Sequence, residues 1–470
     1  MSSVREIQRV FESQRNNRWK ISQSTTSERI ARLKKLEEAI LARSNELFAA
    51  LDKDLRRDQA ETSLVELVPT IMELRTVIRN LKKWMRPQRR ALHIGFFPST
   101  AEVRYEARGT CLIIGTWNYP FYLMMCPVID AIAAGNTLIL KPSELAPQTA
   151  RFIQSLISQV FPSDEVAVFE GGVEVSQTLL DLPFEHFFFT GGAKVGRLVM
   201  EAAAKHLASV TLELGGKSPV LIDSSCDLKH AAENVAWGKM MNAGQTCAAP
   251  DYVFVPENLE AEFLRHLREA IQRFYGGSEE ERQRSSHFGR VISERHLERL
   301  KGLVDRSLAS GARLDMGGRF DVSEKYASPT ILSKVTTRHA VMEEEIFGPV
   351  LPVLTYRNRE EVFDYFRDQH KPLAFYVYAK DGKFVEEVLA KTSSGGLTVN
   401  GSLLQVGVAD LPFGGVGHSG MGSYHGHAGF RCFSHERSVF YHSRWSPLKW
   451  FFPPYTKRVR RLIQLVLRWS

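Results

Sequence analysis

Between residues 108 and 214, the chain alternates short apolar runs with segments of helical character. The runs that predict strands are Cys111–Ile114, Thr137–Leu140, Val166–Glu170, His186–Thr190 and Val210–Leu214. Between them lie segments that predict helices, such as Phe121–Ala134 and Lys194–His206. Strands that alternate with helices form a parallel sheet covered on both faces. The alternation therefore predicts an α/β fold with a doubly wound, nucleotide-binding sheet.

The rest of the 470-residue chain leaves room for further domains, since a domain takes roughly 100–200 residues. The first ninety residues predict helices, and Thr25 with Glu28 fits a capping box at the start of one of them. After residue 214, a second α/β unit is expected, with strands at Asp251–Val255, Val350–Leu354 and Leu373–Ala379.

The net charge of +8 is concentrated at the C-terminal end. Residues 441–470 contain seven Lys and Arg residues and no Asp or Glu, so the other 440 residues carry about +1. A nearly neutral body predicts no nucleic-acid partner. The chain lacks the ~18 consecutive apolar residues of a membrane span, and its first residues lack the apolar core of a secretory signal. We therefore expect a cytoplasmic protein, in a reducing compartment where its five cysteines stay free.

No metal site is predicted. The five cysteines lack metal-ligand spacing. Five histidines crowd one glycine-rich stretch, but not at the tight spacing of zinc ligands. These are His418, His425, His427, His435 and His442.

Two residues with reactive side chains lie next to glycines. Cys247 follows Gly244 in a loop between a helix and a strand, where a thiol can face a cleft; a lone cysteine is, however, more commonly a small buried apolar residue. Glu213 interrupts an apolar run and precedes two glycines. A buried carboxylate has either a paired charge or a raised pKa that suits general-base catalysis. The sequence leaves both alternatives open.

Three further segments lie at expected strand ends, where open α/β sheets bind ligands. Asn118 follows the first strand, and its amide either donates to an oxyanion or stabilises a turn. Lys141 and Glu144 follow the second strand and either bind ribose hydroxyls or form a solvated ion pair. The segment Phe189–Gly196 passes through glycines into a helix, whose first N–H groups suit a phosphate.

Seven motifs, which follow one another in the same order as in the family, together resemble the aldehyde dehydrogenase superfamily. The resemblance is closest to its class 3 branch, which includes fatty aldehyde dehydrogenases. The motifs are Trp117–Pro120, Lys141–Glu144, Phe189–Gly191, Leu212–Lys217, Gly244–Cys247, Glu345–Pro349 and Pro412–Gly420. The resemblance covers residues 5–440 and implies the fold of that superfamily. The implied parts are a nucleotide-binding domain (1–90 and 108–212), an α/β catalytic domain (213–399), a bridging β segment (91–107 and 400–440) and a basic C-terminal tail (441–470).

The resemblance also implies roles for individual residues. Cys247 would be the nucleophile, the Asn118 amide and the Cys247 N–H would form an oxyanion hole, and Glu213 would be the general base. The site is expected to favour the thiolate of Cys247, because the thiolate is the nucleophilic form. The implied cofactor is NAD, with NADP left open by the uncommon Gly192 and Ala193 in the cofactor turn. The implied cofactor-binding residues are Lys141 and Glu144 at the adenosine ribose, Thr190, Gly191 and Val195 near the pyrophosphate and adenine, Glu345 at the nicotinamide ribose, and Phe347 beside its ring.

The implied reaction is the NAD(P)-dependent oxidation of medium- or long-chain aliphatic aldehydes through a thiohemiacetal and a thioester. Aromatic or apocarotenoid aldehydes are the alternative. Leu404 and Gln405 stand where class 3 members often carry a Met-His pair, in the segment that approaches the substrate entrance, which leaves the substrate preference open. A CoA-acylating enzyme would use the same cysteine, but Glu213 argues for hydrolysis. A non-catalytic membrane-associated or structural protein would not need Cys247, Glu213 and Asn118 together. The branch further implies a homodimer.

The C-terminal tail combines an aromatic, proline-containing stretch with a basic amphipathic segment. Apolar residues recur there at helical spacing, at Val459, Leu462, Ile463, Val466 and Trp469. Basic residues together with Leu and Trp are typical of a helix that lies at a membrane interface. We expect residues 445–470 to dock on an anionic membrane surface or to gate the substrate entrance, with packing on a partner subunit as the alternative.

Overall fold

A computed structural model describes residues 4–469 of the chain, and for Trp469 the backbone only. Residues 1–3, Ser470 and the side chain of Trp469, one of the apolar positions predicted for the tail, lie outside the described part. The α-helices are α1 (Val4–Ser22), α2 (Thr26–Ala42), α3 (Ser44–Leu55), α4 (Gln59–Thr62), α5 (Val68–Trp84), α6 (Tyr122–Ala134), α7 (Pro147–Val160), α8 (Val173–Leu180), α9 (Ala193–Lys205), α10 (Leu228–Met240), α11 (Glu260–Tyr275), α12 (Glu279–Arg284), α13 (Glu294–Ala309), α14 (Arg359–Asp368), α15 (Gly382–Lys391), α16 (Gly426–Cys432) and α17 (Lys457–Trp469).

The strands form two large sheets and two small ones. They are β1 (Gln88–Arg90), β2 (Thr100–Ala107), β3 (Thr110–Ile114), β4 (Thr137–Lys141), β5 (Val166–Val168), β6 (His186–Thr190), β7 (Ser209–Glu213), β8 (Pro219–Ile222), β9 (Tyr252–Pro256), β10 (Arg313–Met316), β11 (Phe320–Asp321), β12 (Tyr326–Ala327), β13 (Thr330–Ser333), β14 (Val350–Tyr356), β15 (Ala374–Tyr378), β16 (Gly396–Val399), β17 (Gly420–Met421) and β18 (Ser434–Tyr441).

The N-terminal block is helical, as its periodicity predicts. The capping box of α2 is confirmed: the Thr25 N–H donates to the Glu28 carboxylate at 2.6 Å, and the Glu28 N–H donates to the Thr25 hydroxyl at 3.3 Å. Helix α5 packs its buried Leu74, Val77 and Leu81 toward α2 and α6. This contact joins the helical block to the first large sheet.

The first large sheet has the strand order β17-β7-β6-β3-β4-β5. Strands β3 to β7 are parallel, and the five predicted strands of this region are confirmed with small shifts at their ends. The chain runs outward from β3 to β5 and then returns to the other side of β3 at β6. At such a reversal, the loops after the two neighbouring strands diverge and leave a crevice at their carboxyl ends.

Helices cover both faces of this sheet. Cys111 and Ile113 of β3 belong to a core shared with α2, α5, α6 and α7, whereas Leu112 and Ile114 belong to a core shared with α1, α8 and α9. Alternate side chains of a strand point to opposite faces, so both must be apolar when both faces are covered. The predicted doubly wound arrangement is therefore confirmed.

The second large sheet has the order β10-β13-β14-β9-β8-β15-β16. Its strands are parallel except for β10, which runs antiparallel to β13. The predicted strands near 251–255, 350–354 and 373–379 correspond to β9, β14 and β15. The second α/β unit expected from the sequence is thus present.

The third sheet is antiparallel, with β2 between β1 and β18. Residues 400–440, predicted as one bridging β segment with 91–107, are divided differently in the structure. Of residues 400–440, only the last few join the third sheet, where β18 pairs with β2. Strand β17 instead pairs with β7 of the first sheet, and α16 packs on α5 and α6. Gly420 permits that pairing because its φ is +150° and a Cβ there would lie 2.3 Å from the Leu212 carbonyl oxygen.

The C-terminal tail ends in α17, which confirms the helical spacing of residues 457–468. Val459 is buried, whereas Ile463 and Val466 are exposed on the single chain. Within residues 4–469, no helix has both the length and the apolar character needed to cross a membrane.

Candidate active site

Cys247 lies on a tight loop between α10 and β9. Three consecutive residues of that loop, Asn242, Ala243 and Gly244, have positive φ values of 52°, 51° and 74°. A Cβ at Gly244 would lie 2.2 Å from the carbonyl oxygen of Gly348, so the close approach to residue 348 requires glycine there. The loop leaves Cys247 half-buried at the wall of an apolar cavity.

Gln245 fixes this loop to the second α/β unit. Its buried Nε2 donates to the carbonyl oxygens of Asn242 and Arg290, both at 2.9 Å, and its Oε1 accepts from the Ile292 N–H at 2.9 Å. Three bonds from one buried amide leave the loop little freedom. No role was predicted for Gln245 from the sequence, although this residue lies within the Gly244–Cys247 motif.

Asn118 lies beside the cysteine loop. Its Nδ2 donates to the carbonyl oxygen of Gln245 at 3.0 Å, and the side chain is buried. This bond spans 127 residues of sequence, so the amide does not act as a local turn stabiliser. An amide group has two N–H donors. One N–H thus anchors the side chain to the loop that carries Cys247, and the second is available for a ligand.

Glu213 is a buried carboxylate at the end of β7, in register with Thr190 of β6. Among the described residues, neither of its carboxylate oxygens has a hydrogen-bond partner. Burial raises the pKa of Glu213 well above its usual value. Of the two alternatives left open by the sequence, the structure shows the raised pKa and not the paired charge.

The structure does not show the expected preference for the Cys247 thiolate. Burial, followed by the nearby carboxylates of Glu345 and Glu213, raises the pKa of Cys247 to about 12. The loss of hydration on burial and the nearby negative charges both disfavour the thiolate anion of Cys247. Both causes favour the protonated thiol over the thiolate.

Lys141 and Glu144 form an ion pair at the carboxyl end of β4, with Nζ and Oε2 2.6 Å apart. The lysine side chain is only 3% exposed, whereas the Glu144 side chain is 47% exposed, so only the lysine end of the pair is shielded from solvent. A buried ammonium at this edge of the sheet suits the hydroxyls of a ribose.

The predicted cofactor turn lies next to Glu213. The Gly191 N–H donates to the Glu213 carbonyl oxygen at 3.0 Å, and the buried Thr190 hydroxyl oxygen has no partner within residues 4–469. Helix α9 begins directly afterwards at Ala193, with no side-chain cap on its first N–H groups and with Val195 exposed in its first turn. An uncapped helix start of this kind favours an anion such as a pyrophosphate.

Glu345 lies on the opposite side of the crevice, against the glycines of the Leu212–Lys217 motif. A Cβ at Gly215 would lie 2.0 Å from the Glu345 carboxylate. Burial, and next the charge of Asp251, raise the pKa of Glu345 to about 8. Its Oε1 has no hydrogen-bond partner in the described part of the chain. The adjacent Phe347 has a φ of 48°, and its ring packs edge-on against Trp117 at 5.3 Å.

Lys217 and Asp251 hold the segment that contains Glu345. The Lys217 ammonium bonds the Asp251 carboxylate at 2.5 Å and the carbonyl oxygens of Val341 and Glu344 at 2.8 Å. Asp251 in turn accepts from the Ile346 N–H at 3.0 Å. No role was predicted for Lys217 or Asp251 from the sequence, although Lys217 is the last residue of the Leu212–Lys217 motif.

These residues fit a dinucleotide cofactor. Thr190 and Glu345 offer buried oxygens without partners, Lys141 offers a buried cation, and the start of α9 offers free backbone donors. Such groups lose their hydration on folding, and hydrogen bonds to polar ligand atoms offset that free-energy cost. The crevice at the carboxyl ends of β3, β4 and β6 therefore suits ribose and phosphate groups.

The chain's similarity to known proteins agrees with this geometry. The pattern of the aldehyde dehydrogenase family matches residues 1–439. The chain belongs to the aldehyde dehydrogenase family. It is accordingly an NAD(P)-dependent oxidoreductase. This confirms the expected cofactor class.

Two relatives and one solved structure illustrate the similarity. The chain is 40% identical to the 4,4'-diaponeurosporen-aldehyde dehydrogenase of Staphylococcus aureus, covering 90% of this chain and 91% of the relative. It is 41% identical to aldehyde dehydrogenase family 3 member A2 of mouse, covering 87% and 83%. The structure of the substrate-bound state of Staphylococcus aureus AldH matches with a TM-score of 0.93 and 38% identity, over 98% of this chain and 99% of that one. The expected aldehyde dehydrogenase fold and its class 3 resemblance are thereby confirmed.

Proposed function

We propose that this aldehyde dehydrogenase oxidises medium- to long-chain aliphatic aldehydes to carboxylic acids. The observation that supports this substrate class is the cavity of about 190 Å³ beside Cys247. Apolar side chains dominate its wall, and no charged side chain is among the described lining residues. They include Leu64, Leu123, Met241, Leu403, Leu404 and Val406. Binding in an apolar cavity becomes more favourable with each substrate methylene that is removed from water.

The first half of the proposed reaction takes place on Cys247. The Cys247 thiol gives up its proton to solvent water as its sulfur attacks the aldehyde carbon, and the carbonyl oxygen becomes an oxyanion that accepts from the Asn118 amide and the Cys247 N–H. Each donor of this kind contributes about 2.7–4 kcal/mol of transition-state stabilisation. Bound NAD(P) supplies the acceptor for the hydride that leaves the aldehyde carbon. Cys247 then carries the acyl group as a thioester.

The second half of the reaction depends on Glu213. We propose that its carboxylate takes a proton from a water molecule, whose oxygen attacks the thioester carbon. The C–S bond then breaks and Glu213 returns the proton to the departing sulfur, which leaves the carboxylic acid and the Cys247 thiol. The raised pKa suits this role, because a carboxylate with a high pKa is a stronger base. We assign Lys141, Glu144, Thr190, Gly191, Val195, Glu345 and Phe347 to cofactor binding.

Aromatic and apocarotenoid aldehydes are the second candidate substrates. Rings of Tyr119, Tyr122, Trp237 and Phe413 line the same cavity and offer flat surfaces to a conjugated substrate. The name of the Staphylococcus aureus relative points to the same class.

Substrate choice is tested by following NADH formation with aldehydes from propanal to hexadecanal, with benzaldehyde for comparison. We expect kcat/KM to rise with chain length until the cavity is filled. Each buried methylene is worth about 0.8 kcal/mol, or roughly fourfold. Values that fall with chain length, or that favour benzaldehyde, would contradict the aliphatic assignment. A product that forms only with added CoA would instead identify a CoA-acylating enzyme.

A matched pair of variants locates this dependence in the cavity. Leu64 lines the cavity and is itself half-exposed at 55%, so Leu64→Ser removes apolar surface with little effect on the core. Leu411 is similarly exposed, at 49%, and does not line the cavity. We expect Leu64→Ser to weaken the chain-length dependence and Leu411→Ser to preserve it.

We propose that two copies of the chain form a homodimer. Strands β18 and β16 lie at the edges of their sheets and carry exposed apolar side chains, Phe440 and Tyr441 on β18 and Val399 on β16. Exposed apolar strand edges favour pairing with another chain. Light scattering should give twice the monomer mass of 53.2 kDa. A monomeric mass at micromolar concentration would refute the dimer.

We also propose that the C-terminal tail binds the surface of an anionic membrane on the cytoplasmic side. Trp445, Trp450, Phe452 and Tyr455 are all more than half exposed, and they lie among seven basic residues without an acidic one. The 3-10 turn that contains Trp450 contacts the loop at Ile94, which is exposed too. Aromatic side chains favour the headgroup region, and each basic residue near an anionic surface adds about 1 kcal/mol.

Vesicle co-sedimentation tests the tail. We expect the intact protein to bind phosphatidylserine vesicles at low salt, to bind phosphatidylcholine vesicles weakly, and to lose binding when residues 445–470 are deleted. Binding that survives the deletion, or no binding by the intact protein, would refute the membrane role. A deletion that instead changes the dimer's mass would support packing on the partner subunit.

A further inference from the structure

A buried arginine from the N-terminal helical block reaches the active site. Arg57 is fully buried, and its Nη2 donates to the main-chain carbonyl oxygen of Asn118 at 2.5 Å. The same guanidinium donates to the side-chain oxygen of Asn242, from Nη2 at 2.6 Å and from Nε at 3.2 Å. Arg57 thus bonds both the loop of the oxyanion donor and the loop of the nucleophile.

Glu66 holds Arg57 in this position. Its Oε1 accepts from Arg57 Nη1 at 2.6 Å, and its Oε2 accepts from the N–H groups of Phe121 and Tyr122 at 3.2 and 2.7 Å. The Glu66 side chain is fully buried as well. The guanidinium also lies over the Tyr119 ring, 4.8 Å from its centre. The ion pair therefore fixes the residues on both sides of Tyr119 in the loop that follows β3.

Asn242 completes a closed network between the two loops. Its Nδ2 donates to the carbonyl oxygens of Asn118 at 2.9 Å and Gln245 at 3.1 Å, while Asn118 Nδ2 donates to the same Gln245 oxygen at 3.0 Å. Asn242 has a positive φ of 52°, a backbone conformation that residues other than glycine adopt at a cost unless surrounding contacts hold it. Glu61 accepts from its N–H at 2.8 Å and helps to retain it.

We infer that Arg57, oriented by Glu66, is a positioning residue that sets the Asn118 amide against Cys247. The inference rests on the proposed function, because it concerns the oxyanion hole of that reaction. The planar guanidinium has donors in a fixed fork, so a single side chain can bond two loops in one arrangement. Neither residue lines the cavity beside Cys247, so an effect on catalysis acts through the Asn118 amide.

The test compares Arg57→Met, Arg57→Lys and the double variant Arg57→Met/Glu66→Gln with a matched control, Arg29→Lys. Arg29 is also buried and bonds the main-chain oxygens of Ser22 and Ala133, outside the active site. The double variant avoids an unpaired buried charge on Glu66, and it replaces Arg57→Met if that variant does not fold. Four properties are measured: aldehyde turnover, hydrolysis of p-nitrophenyl acetate without cofactor, alkylation of the Cys247 peptide by iodoacetamide, and NAD affinity.

Aldehyde turnover and ester hydrolysis both form an oxyanion, whereas alkylation does not. We expect kcat for both reactions to fall about 100-fold in Arg57→Met and the double variant, since a displacement of about 1 Å has an effect of that size. Arg57→Lys should recover part of the loss, because an ammonium can still pair with Glu66. The alkylation rate and NAD affinity should stay within about twofold of wild type, and Arg29→Lys should resemble wild type throughout.

Two outcomes would overturn the inference. Variants that fold and keep both kcat values within about threefold of wild type would show that Arg57 positions nothing. Equal losses of turnover, alkylation, NAD affinity and thermal stability would show a purely structural role. If wild type oxidises no aldehyde, the proposed function fails, but ester hydrolysis still tests the positioning of Asn118.

Discussion

Replacement of Glu213 by Gln is expected to give an enzyme that forms about one equivalent of NADH per active site and then almost stops. Gln has the shape of Glu but cannot accept a proton from water. The thioester on Cys247 then forms and is not hydrolysed. General-base catalysis typically contributes 10²–10⁴-fold, so we expect the steady-state rate to fall by about that factor. Rapid-mixing measurement of NADH separates the first turnover from the steady state.

The pH dependence gives this prediction a second readout. Burial raises the pKa of Glu213, so the basic carboxylate form increases as pH rises through that raised pKa. Steady-state kcat of the wild type should therefore increase with pH over that range, and Glu213→Gln should lose this increase. Glu73→Gln is the matched control, since Glu73 is also buried with a pKa raised to about 7, and it lies in α5 and does not line the cavity beside Cys247. A Glu213→Gln variant with undiminished steady-state turnover would contradict the role of this carboxylate.

Replacement of Cys247 by Ala is expected to abolish aldehyde oxidation. Loss of a covalent nucleophile can lower kcat by about 10⁶-fold, and we expect a decrease of at least about 10⁴-fold here. NAD affinity should persist, because the residues assigned to the cofactor lie on other segments. Cys226→Ala serves as the control, since Cys226 is another half-buried free thiol and does not line the cavity. Turnover of Cys247→Ala within about 100-fold of wild type would exclude Cys247 as the nucleophile.

The first sheet was predictable because of its burial. Parallel strands covered on both faces are continuously apolar, as in Cys111–Ile114, and such runs stand out from the helices between them. Two buried strands of only four residues, β8 and β13, were not predicted, and neither were two strands that lack this property. β16 begins with glycine and is only half-buried, and β17 has two residues whose pairing with β7 depends on the close approach at Gly420.

The motifs identified the candidate site residues but not the contacts among them. Arg57 and Glu66 lie in a block whose sequence predicts only helices, and no local pattern indicates that they meet Asn118 and Asn242. The pKa of Cys247 also depends on which carboxylates fold toward it. The sequence placed Glu213 and Glu345 in different motifs, whereas the structure buries Cys247 and brings both carboxylates near its sulfur. Burial first and these two charges second raise the pKa of Cys247, against the expected direction.

Direct observation of the acyl-enzyme tests the central claim that Cys247 carries the substrate. Glu213→Gln is mixed with NAD and dodecanal, quenched in acid, digested and analysed by mass spectrometry. We expect the peptide containing Cys247 to gain the mass of one dodecanoyl group in proportion to the NADH formed. We expect no such peptide in the double variant with Cys247→Ala. NADH formed in the first turnover without an acyl group on Cys247 would contradict the account.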